Sequence, residues 1–171
     1  MLLTGLLPDI TSDPAIETAT DSLEVGRSGT IVAPVGIRPP LLAAVATRAA
    51  TPLVVLTATG RDAETLTNAL ASWIPGVAML PAWETLPHER LSPQVDTMAR
   101  RIAVLRRLVH PIAGDESAGP ISVLVVPIRA FLQPIISGLA DLEPVRVRTG
   151  DILDLTETTN RLAELGYERV D

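Results

Sequence analysis

The residues best suited to acid–base or metal chemistry lie in one polar loop, where His88 stands between Glu84 and Glu89. Imidazole and carboxylate groups can hold a metal ion or move protons when several of them converge on one point. Three residues of a single loop do not close such a site, and the only other histidine, His110, precedes a linker. We therefore expect these side chains to be solvated or to cap helices, with no catalytic residue and no metal ligand.

A second place for chemistry is the turn at residues 33–40, between a β-branched segment and a predicted helix. A phosphate-binding loop needs several glycines, a lysine on the phosphates and a hydroxyl for magnesium. Here Gly36 stands alone, Arg38 is a poor substitute for lysine, and Pro39-Pro40 remove two backbone donors. All 14 basic residues of the chain are arginine, which also excludes a Schiff-base lysine. The sequence predicts an ordinary turn that binds no cofactor.

Four residues are candidates for binding a partner. Arg146 and Arg148 alternate along a predicted edge strand, with Arg169 on a neighbouring strand. Arginines at every second position make a flat docking surface for acidic partners, but they also protect an edge strand from aggregation. Trp83, in the polar loop, could anchor a partner or plug the end of the sheet. The sequence leaves both alternatives open for each of these positions.

A helix is predicted after the polar loop, with Ser92 as its N-cap and Pro93 at its first position. Apolar residues then recur in alternating steps of three and four, which predicts one buried stripe: Val95, Met98, Ile102, Leu105 and Val109. The densest basic cluster of the chain is expected on the solvent side of that stripe (Arg100 and Arg107) and along its flanks (Arg101 and Arg106). We expect this cluster to be a solvated face, with local docking as the alternative.

The composition limits the class of protein. Hydrophobic residues make up 47% of the chain and aromatic residues 2%, so the core must be aliphatic. A net charge of −6 argues against a general nucleic-acid-binding surface, and the lack of cysteine excludes disulfides and thiolate sites. No apolar run approaches the roughly 20 residues that span a bilayer. We expect a cytoplasmic protein with no membrane partner.

Strand and helix patterns alternate through the first part of the chain. A short helix is predicted with Ser12 or Asp13 as its cap. Apolar strands are predicted at residues 30–34, 53–57, 77–80 and 121–126, with helices between them, and the strand at 53–57 is predicted to be of the buried, parallel type. Residues 110–120 are predicted to be a mobile polar linker. This alternation indicates an α/β fold, in which a parallel sheet carries helices on both faces.

The pattern changes after Gly138. Residues 143–148 alternate between polar and apolar side chains, as a half-exposed antiparallel strand does. Asp154 with Glu157 predicts a capping box for a helix that ends near Gly166, and residues 167–171 begin another alternating strand. We predict two domains: residues 1–138 as the α/β domain, and residues 139–171 as the start of a small α+β domain whose remainder is missing.

The loop and the helix after it resemble the N-terminal region of the bacterial transcription-repair coupling factor family, Mfd, at these residues: Trp83-Glu84-Thr85-Leu86-Pro87, Ser92-Pro93, Asp96 and Arg101. Two later segments also resemble that family: Val123–Pro127, and Gly150-Asp151 with residues 165–171. The resemblance covers most of the chain from about Thr30 onward. The lysine-free composition, rich in alanine, arginine and valine, is similar to that of a high-GC actinobacterium.

The resemblance implies the module homologous to the excision-repair protein UvrB: its first domain (1a) and the opening of its UvrA-binding domain (2). In that family the module is a degenerate, helicase-like ATPase relative without the phosphate loop, and it recruits UvrA to stalled transcription complexes during nucleotide excision repair. RNA-polymerase binding and the ATP- and magnesium-dependent DNA translocase lie in domains absent here, and the family's main UvrA-contacting arginines lie beyond Asp171. We expect no enzyme activity in this chain. The alternatives are a nucleotide- or nucleic-acid-binding α/β domain with residual NTPase activity, or an unrelated α/β regulatory domain.

Overall fold

The computed structural model describes residues 3–21, 28–85, 94–145, 147 and 149–164. The α-helices in these ranges are α1 (Leu7–Thr11), α2 (Pro14–Asp21), α3 (Arg38–Arg48), α4 (Gly60–Ala71), α5 (Val95–Val109), α6 (Ile128–Phe131) and α7 (Leu155–Glu164). The strands are β1 (Leu53–Thr57), β2 (Val77–Met79) and β3 (Val123–Pro127). None of these helices is both long and apolar enough to cross a membrane. Two compact units divide the chain, Met1–Asp141 and Leu142–Asp171.

The three strands of the first unit form a parallel sheet in the order β1-β3-β2. Leu53 of β1 and Val77 of β2 both pair in register with Val123, on opposite sides of β3. Every residue of β3 is buried, as expected for a central strand covered on both faces. The predicted α/β class with a parallel sheet is therefore confirmed.

Helices cover both faces of the sheet because consecutive side chains of β3 point in opposite directions. Val123 and Val125 pack against α3 and α4, in a cluster that also contains Leu70. Leu124 and Val126 pack on the other face against Val104 and Leu105 of α5, and against Ala130 of α6. The core is thus aliphatic, as the composition indicates.

Gly76 fixes the entry into β2. Its φ angle of 75° is one that residues with a Cβ rarely adopt. Its carbonyl oxygen accepts hydrogen bonds from the N–H groups of Ser122 (2.8 Å) and Val123 (3.3 Å). A Cβ at this position would lie 2.9 Å from the carbonyl oxygen of Pro120. The backbone at Gly76 therefore lies closer to the backbone at Pro120 than a residue with a Cβ would permit. The hydrogen bonds made across this contact help to hold β2 in register with β3.

Several caps follow the local sequence. The Asp13 carboxylate accepts a 2.8 Å hydrogen bond from the N–H of Ala15 and so caps α2, as one of the two predicted alternatives states. Thr59 caps α4 through the N–H of Asp62. In the second unit, Asp154 accepts a 2.9 Å bond from the N–H of Glu157 at the start of α7. This last bond is the Asp154 half of the predicted capping box.

The strand predicted at residues 30–34 is not formed. Residues 30–34 are not part of any strand, and Val32 is 95% exposed. A β-branched run predicts a strand only if a neighbouring strand supplies the hydrogen bonds, and none lies beside this segment in the described sheet. β1 is parallel, as predicted, but it is not the buried strand that the sequence predicts, because it lies at the edge of the described sheet. Its Val54 and Leu56 side chains are 51% and 48% exposed.

The helix after the polar loop is confirmed as α5, but the predicted position of its buried stripe is wrong. Val95 is 73% exposed and Val109 57% exposed, whereas the buried residues are Thr97, Arg101, Val104 and Leu105. The period of three and four is right, but the buried face is rotated around the helix axis. Arg101, predicted beside the stripe, instead lies at the centre of the buried face.

Three further predictions are corrected outside the sheet. Residues 110–120 form a hydrogen-bonded turn rather than a loose linker: the N–H of Ile112 donates to the carbonyl of Ala118, and Arg107 donates to the carbonyl of Gly119. The described residues among 143–148 form no strand. α5 begins at Val95 with Gln94 at its N-cap position, so the predicted start at Ser92-Pro93 is wrong. Ser92 itself and the strand predicted at residues 167–171 lie outside the described residues. The predicted domain boundary at 138–139 stays a prediction.

Candidate functional site

Trp83 is held in place through its backbone. It follows β2, and its N–H donates a 2.8 Å hydrogen bond to Oε1 of Gln133, just beyond α6. The amide nitrogen of the same Gln133 side chain donates to the carbonyl oxygen of Trp83 at 3.3 Å. One side chain thus satisfies both polar groups of the Trp83 backbone, in the way that a neighbouring strand would. This pairing extends the ordered chain past the last hydrogen bonds of the sheet.

The ring of Trp83 covers a buried arginine. The side chain of Arg101 is fully buried, and its guanidinium carbon lies 4.4 Å from the centre of the Trp83 ring. Its Nη1 atom donates a 2.6 Å hydrogen bond to the carbonyl oxygen of Pro81. Burial lowers the pKa of Arg101, but the guanidinium stays protonated at neutral pH because its ordinary pKa is so high. Arg101 therefore carries its charge into the interior, against the face of an indole ring.

The buried guanidinium is only partly satisfied. Among the described residues, its Nε and Nη2 atoms have no hydrogen-bond partner. None of the ion pairs between described residues includes Arg101, so no described carboxylate balances its charge. The indole ring and the Pro81 carbonyl thus provide the contacts that favour the charge within the described part of the chain. The sequence pattern did not indicate this buried, partly satisfied charge.

Glu84 caps the neighbouring helix from a distance in sequence. Its carboxylate accepts a hydrogen bond from the hydroxyl of Thr97 in the first turn of α5. The side chain of Gln94, at the N-cap position, makes no capping hydrogen bond itself. This hydroxyl, the backbone N–H groups of Glu84 and Gln94, and the charge of Arg129 lower the pKa of the Glu84 carboxyl. Partial desolvation opposes them. A carboxylate at a helix N-terminus is also favoured by the helix dipole.

We expect this cap to make stability depend on pH. Because the pKa of Glu84 is lower in the folded chain than its ordinary value of 4.5, its contribution is complete above that value and is lost as the pH falls below it. Glu84 is exposed, so Glu84→Gln should cost only about 0.5 kcal/mol at pH 7. The difference in melting temperature between the wild-type chain and Glu84→Gln should shrink towards pH 3.

The exposed Glu116, on the 110–120 turn, provides the control for this titration. Glu116→Gln should leave the melting temperature nearly unchanged at pH 7. A Glu84→Gln difference that persists undiminished at pH 3 would contradict the assignment of the cap to the charged carboxylate.

The remaining candidate site residues do not join this cluster within the described part of the chain. His110 pairs with a residue outside the loop: its Nε2 lies 2.7 Å from Oδ1 of Asp141. No group of three histidine, aspartate or glutamate residues within the described ranges could hold a metal ion. Three of the four predicted partner-binding residues, and two loop residues, lie outside those ranges: Arg146, Arg148, Arg169, His88 and Glu89. Their roles, and that of Trp83 towards a partner, stay predictions.

The turn at residues 33–40 forms a short 3-10 helix, Val35–Ile37, that leads directly into α3. Pro39 and Pro40 follow Arg38, the first residue of α3, and remove two backbone donors from its first turn. Because residues 30–34 are not a strand, the strand–loop–helix arrangement of a phosphate loop is not formed by these residues.

Two relatives were found by sequence comparison. The transcription-repair-coupling factors of Mycobacterium bovis and Mycobacterium tuberculosis are each 46% identical to this chain over 144 residues. The matched segment is 83% of this chain but only 11% of each relative. No protein-family model matches the chain. Over most of its length, the chain is therefore similar to about a ninth of a transcription-repair-coupling factor.

Proposed function

We propose that this chain is a non-catalytic, UvrB-like module of a transcription-repair coupling factor. Its role is to recruit UvrA to stalled transcription complexes in transcription-coupled nucleotide excision repair. Identity of 46% to two mycobacterial coupling factors supports the family-level part of this proposal. In the complete protein, an ATP-dependent DNA translocase that displaces RNA polymerase would occupy the part that the matched segment leaves out.

One observation favours a scaffold over an enzyme: in the described part of the loop, the polar groups of Trp83 and Glu84 are engaged by side chains of neighbouring elements. Gln133 engages both backbone groups of Trp83, Thr97 engages the Glu84 carboxylate, and Arg129 donates to the Glu84 carbonyl at 3.1 Å. Arg101 is buried under the indole ring rather than directed at a ligand. A general acid or base needs to reach a substrate proton, but these groups are occupied by neighbouring residues. We infer that the loop provides shape rather than chemistry.

Binding of purified UvrA tests the docking role. Immobilised UvrA would be titrated with this chain and with a longer chain that extends through the whole second domain. We expect the longer chain to bind saturably and this chain to bind more weakly or not at all, because the family's main contacting arginines are implied to lie beyond Asp171. If neither chain binds, the docking role is wrong.

Matched variants can then identify the contact surface. In the chain that binds, Arg146→Ala combined with Arg148→Ala should weaken binding of UvrA, because charge-assisted contacts to an acidic partner are lost. Arg61→Ala removes an exposed arginine from α4 and should leave the affinity unchanged. Equal affinities for both variants would exclude the paired arginines from the contact while leaving recruitment itself in place.

The residual-NTPase alternative makes a different prediction. A nucleotide present at 100 times its dissociation constant stabilises the folded state by about 2.7 kcal/mol. With ATP and magnesium we expect no shift in the melting temperature of this chain. A saturable upward shift, accompanied by release of phosphate, would favour the enzyme alternative over the scaffold.

A further inference from the structure

A groove of about 470 Å³ follows the free edge of β2. α4 packs on one face of the sheet and α5 on the other, and both helices line this groove. Their side chains therefore form two opposite walls, and Met79 of β2 lies on the floor between them. All of these elements belong to the first compact unit, so the groove does not depend on the second one.

Within the described part of the chain, the floor of the groove has backbone groups that pair with no other strand. The N–H of Leu80 donates a 3.0 Å hydrogen bond to the carbonyl of Val125, so Leu80 turns its N–H towards β3. Consecutive residues of a strand turn their N–H and C=O groups to opposite sides. Those of Met79 consequently point away from β3 and into the groove. An exposed edge of this kind is a template for pairing with another extended segment.

The walls differ in charge. The α5 wall carries Arg100 and Arg107, two helical turns or about 10 Å apart along the axis. The α4 wall carries Glu64, Thr67 and Asn68 and so has one negative charge and two neutral polar groups. Side chains of an added strand would alternate between these walls, with successive residues on one side about 7 Å apart. Carboxylates at every second position would therefore face the two arginines, and neutral side chains would face α4.

The existing contacts of these arginines leave room for such a ligand. Arg100 pairs with Asp96 at 2.9 Å, but both side chains are more than 60% exposed, so the pair contributes little. Arg107 uses its Nε atom to donate to the carbonyl of Gly119. A guanidinium has five N–H donors, and the rest of them can serve a carboxylate.

We propose that this groove binds an extended acidic peptide segment, which adds as a strand beside β2. Its backbone pairs with Met79, and its alternate carboxylates pair with Arg100 and Arg107. A polyanionic nucleic acid fits less well, because Glu64 lines the opposite wall and the chain carries a net charge of −6. The groove is lined by none of the proposed UvrA-binding residues, so either proposal can fail without the other.

The test uses a fluorescein-labelled peptide, acetyl-Gly-Glu-Thr-Glu-Thr-Glu-Gly-amide, titrated with the full chain while fluorescence anisotropy is recorded. We expect saturable binding that weakens with salt. Arg100→Gln combined with Arg107→Gln should weaken it at least about tenfold, while Arg48→Gln, away from the groove, should not change it. The same peptide with N-methyl groups on its threonine nitrogens, or on its glutamate nitrogens, distinguishes strand addition from charge attraction. One of these two peptides should lose binding, because it lacks the donors that face β2.

Met79→Pro gives the complementary test on the protein side. Proline removes the outward N–H of this residue and leaves the bonds to β3 in place, although it also removes a partly buried side chain that packs against the core. Circular dichroism should show a folded but less stable chain, and binding should fall. If this variant does not fold, the N-methylated peptides still decide the question with the unchanged chain. Equal binding of all three peptides, or no effect of the arginine substitutions, would overturn the proposal. Tighter binding of oligothymidylate than of the peptide, lost in the same arginine variants, would overturn it in favour of a nucleic-acid surface.

Discussion

Truncation of Arg101 to alanine is expected to lower the free energy of unfolding by about 3 kcal/mol, as for other large buried side chains cut back to Cβ. The change leaves a cavity between α5 and the Trp83 ring and removes the hydrogen bond to the Pro81 carbonyl. Urea denaturation followed by circular dichroism measures the loss. Arg100→Ala, at the exposed neighbouring position, should change the free energy of unfolding by less than about 0.5 kcal/mol.

Arg101→Met separates the volume of this side chain from its charge. Methionine fills a similar space, and it removes a buried charge that has no carboxylate partner among the described residues. Replacement of buried charges by apolar residues of similar size is often nearly neutral. We expect a loss of about 1 kcal/mol, mainly from the Pro81 hydrogen bond. A loss equal to that of the alanine variant would show instead that the charge itself is required.

Gly76→Ala is expected to be comparably damaging, for a reason that lies in the backbone. The left-handed conformation costs a residue with a Cβ about 1–2 kcal/mol. In addition, the new methyl group would lie 2.8 Å from Oγ of Ser122 and 2.9 Å from the Pro120 carbonyl oxygen. Together these effects should lower the free energy of unfolding by about 3 kcal/mol and the melting temperature by about 10 °C.

Two other glycines distinguish these contributions. Gly138 has a φ of +82° but open space around its Cα, so Gly138→Ala should cost only about 1 kcal/mol. Gly36 has open space and no left-handed φ, so Gly36→Ala should be close to neutral. If all three variants had the same melting temperature, the close approach of Gly76 to the β3 entry would have no energetic role.

The type of most elements could be predicted because local patterns decide it. Val123–Pro127 is apolar at successive positions and is the central strand, and the caps at Asp13 and Asp154 follow from short polar side chains before helical segments. The segment at residues 30–34 has the same β-branched character but remains outside the sheet. Strand formation depends on a neighbouring strand, which no property of the five residues supplies.

The candidate site could be predicted only in part. Trp83 and Glu84 were selected from the sequence, whereas Thr97, Arg101, Arg129 and Gln133 were not selected as site residues. Gln133 lies 50 positions from the backbone it pairs with, and no spacing rule connects the two. Periodicity gave the correct repeat of α5 but the wrong buried face, because Trp83 and Glu84 pack against it from outside the helix. A long polar side chain beside an apolar stripe is as compatible with burial under an aromatic ring as with solvation.

The strand order β1-β3-β2 has a consequence for the synthesis of the chain. The central strand is the last of the three to leave the ribosome, so neither Leu53–Thr57 nor Val77–Met79 can find its neighbour until Pro127 has emerged. Until then the nascent polypeptide contains two unpaired apolar strands, the situation in which chaperones are most needed. Formation of the sheet must await its final strand, and ribosome-bound intermediates that end before Val123 should therefore be sensitive to protease throughout this region.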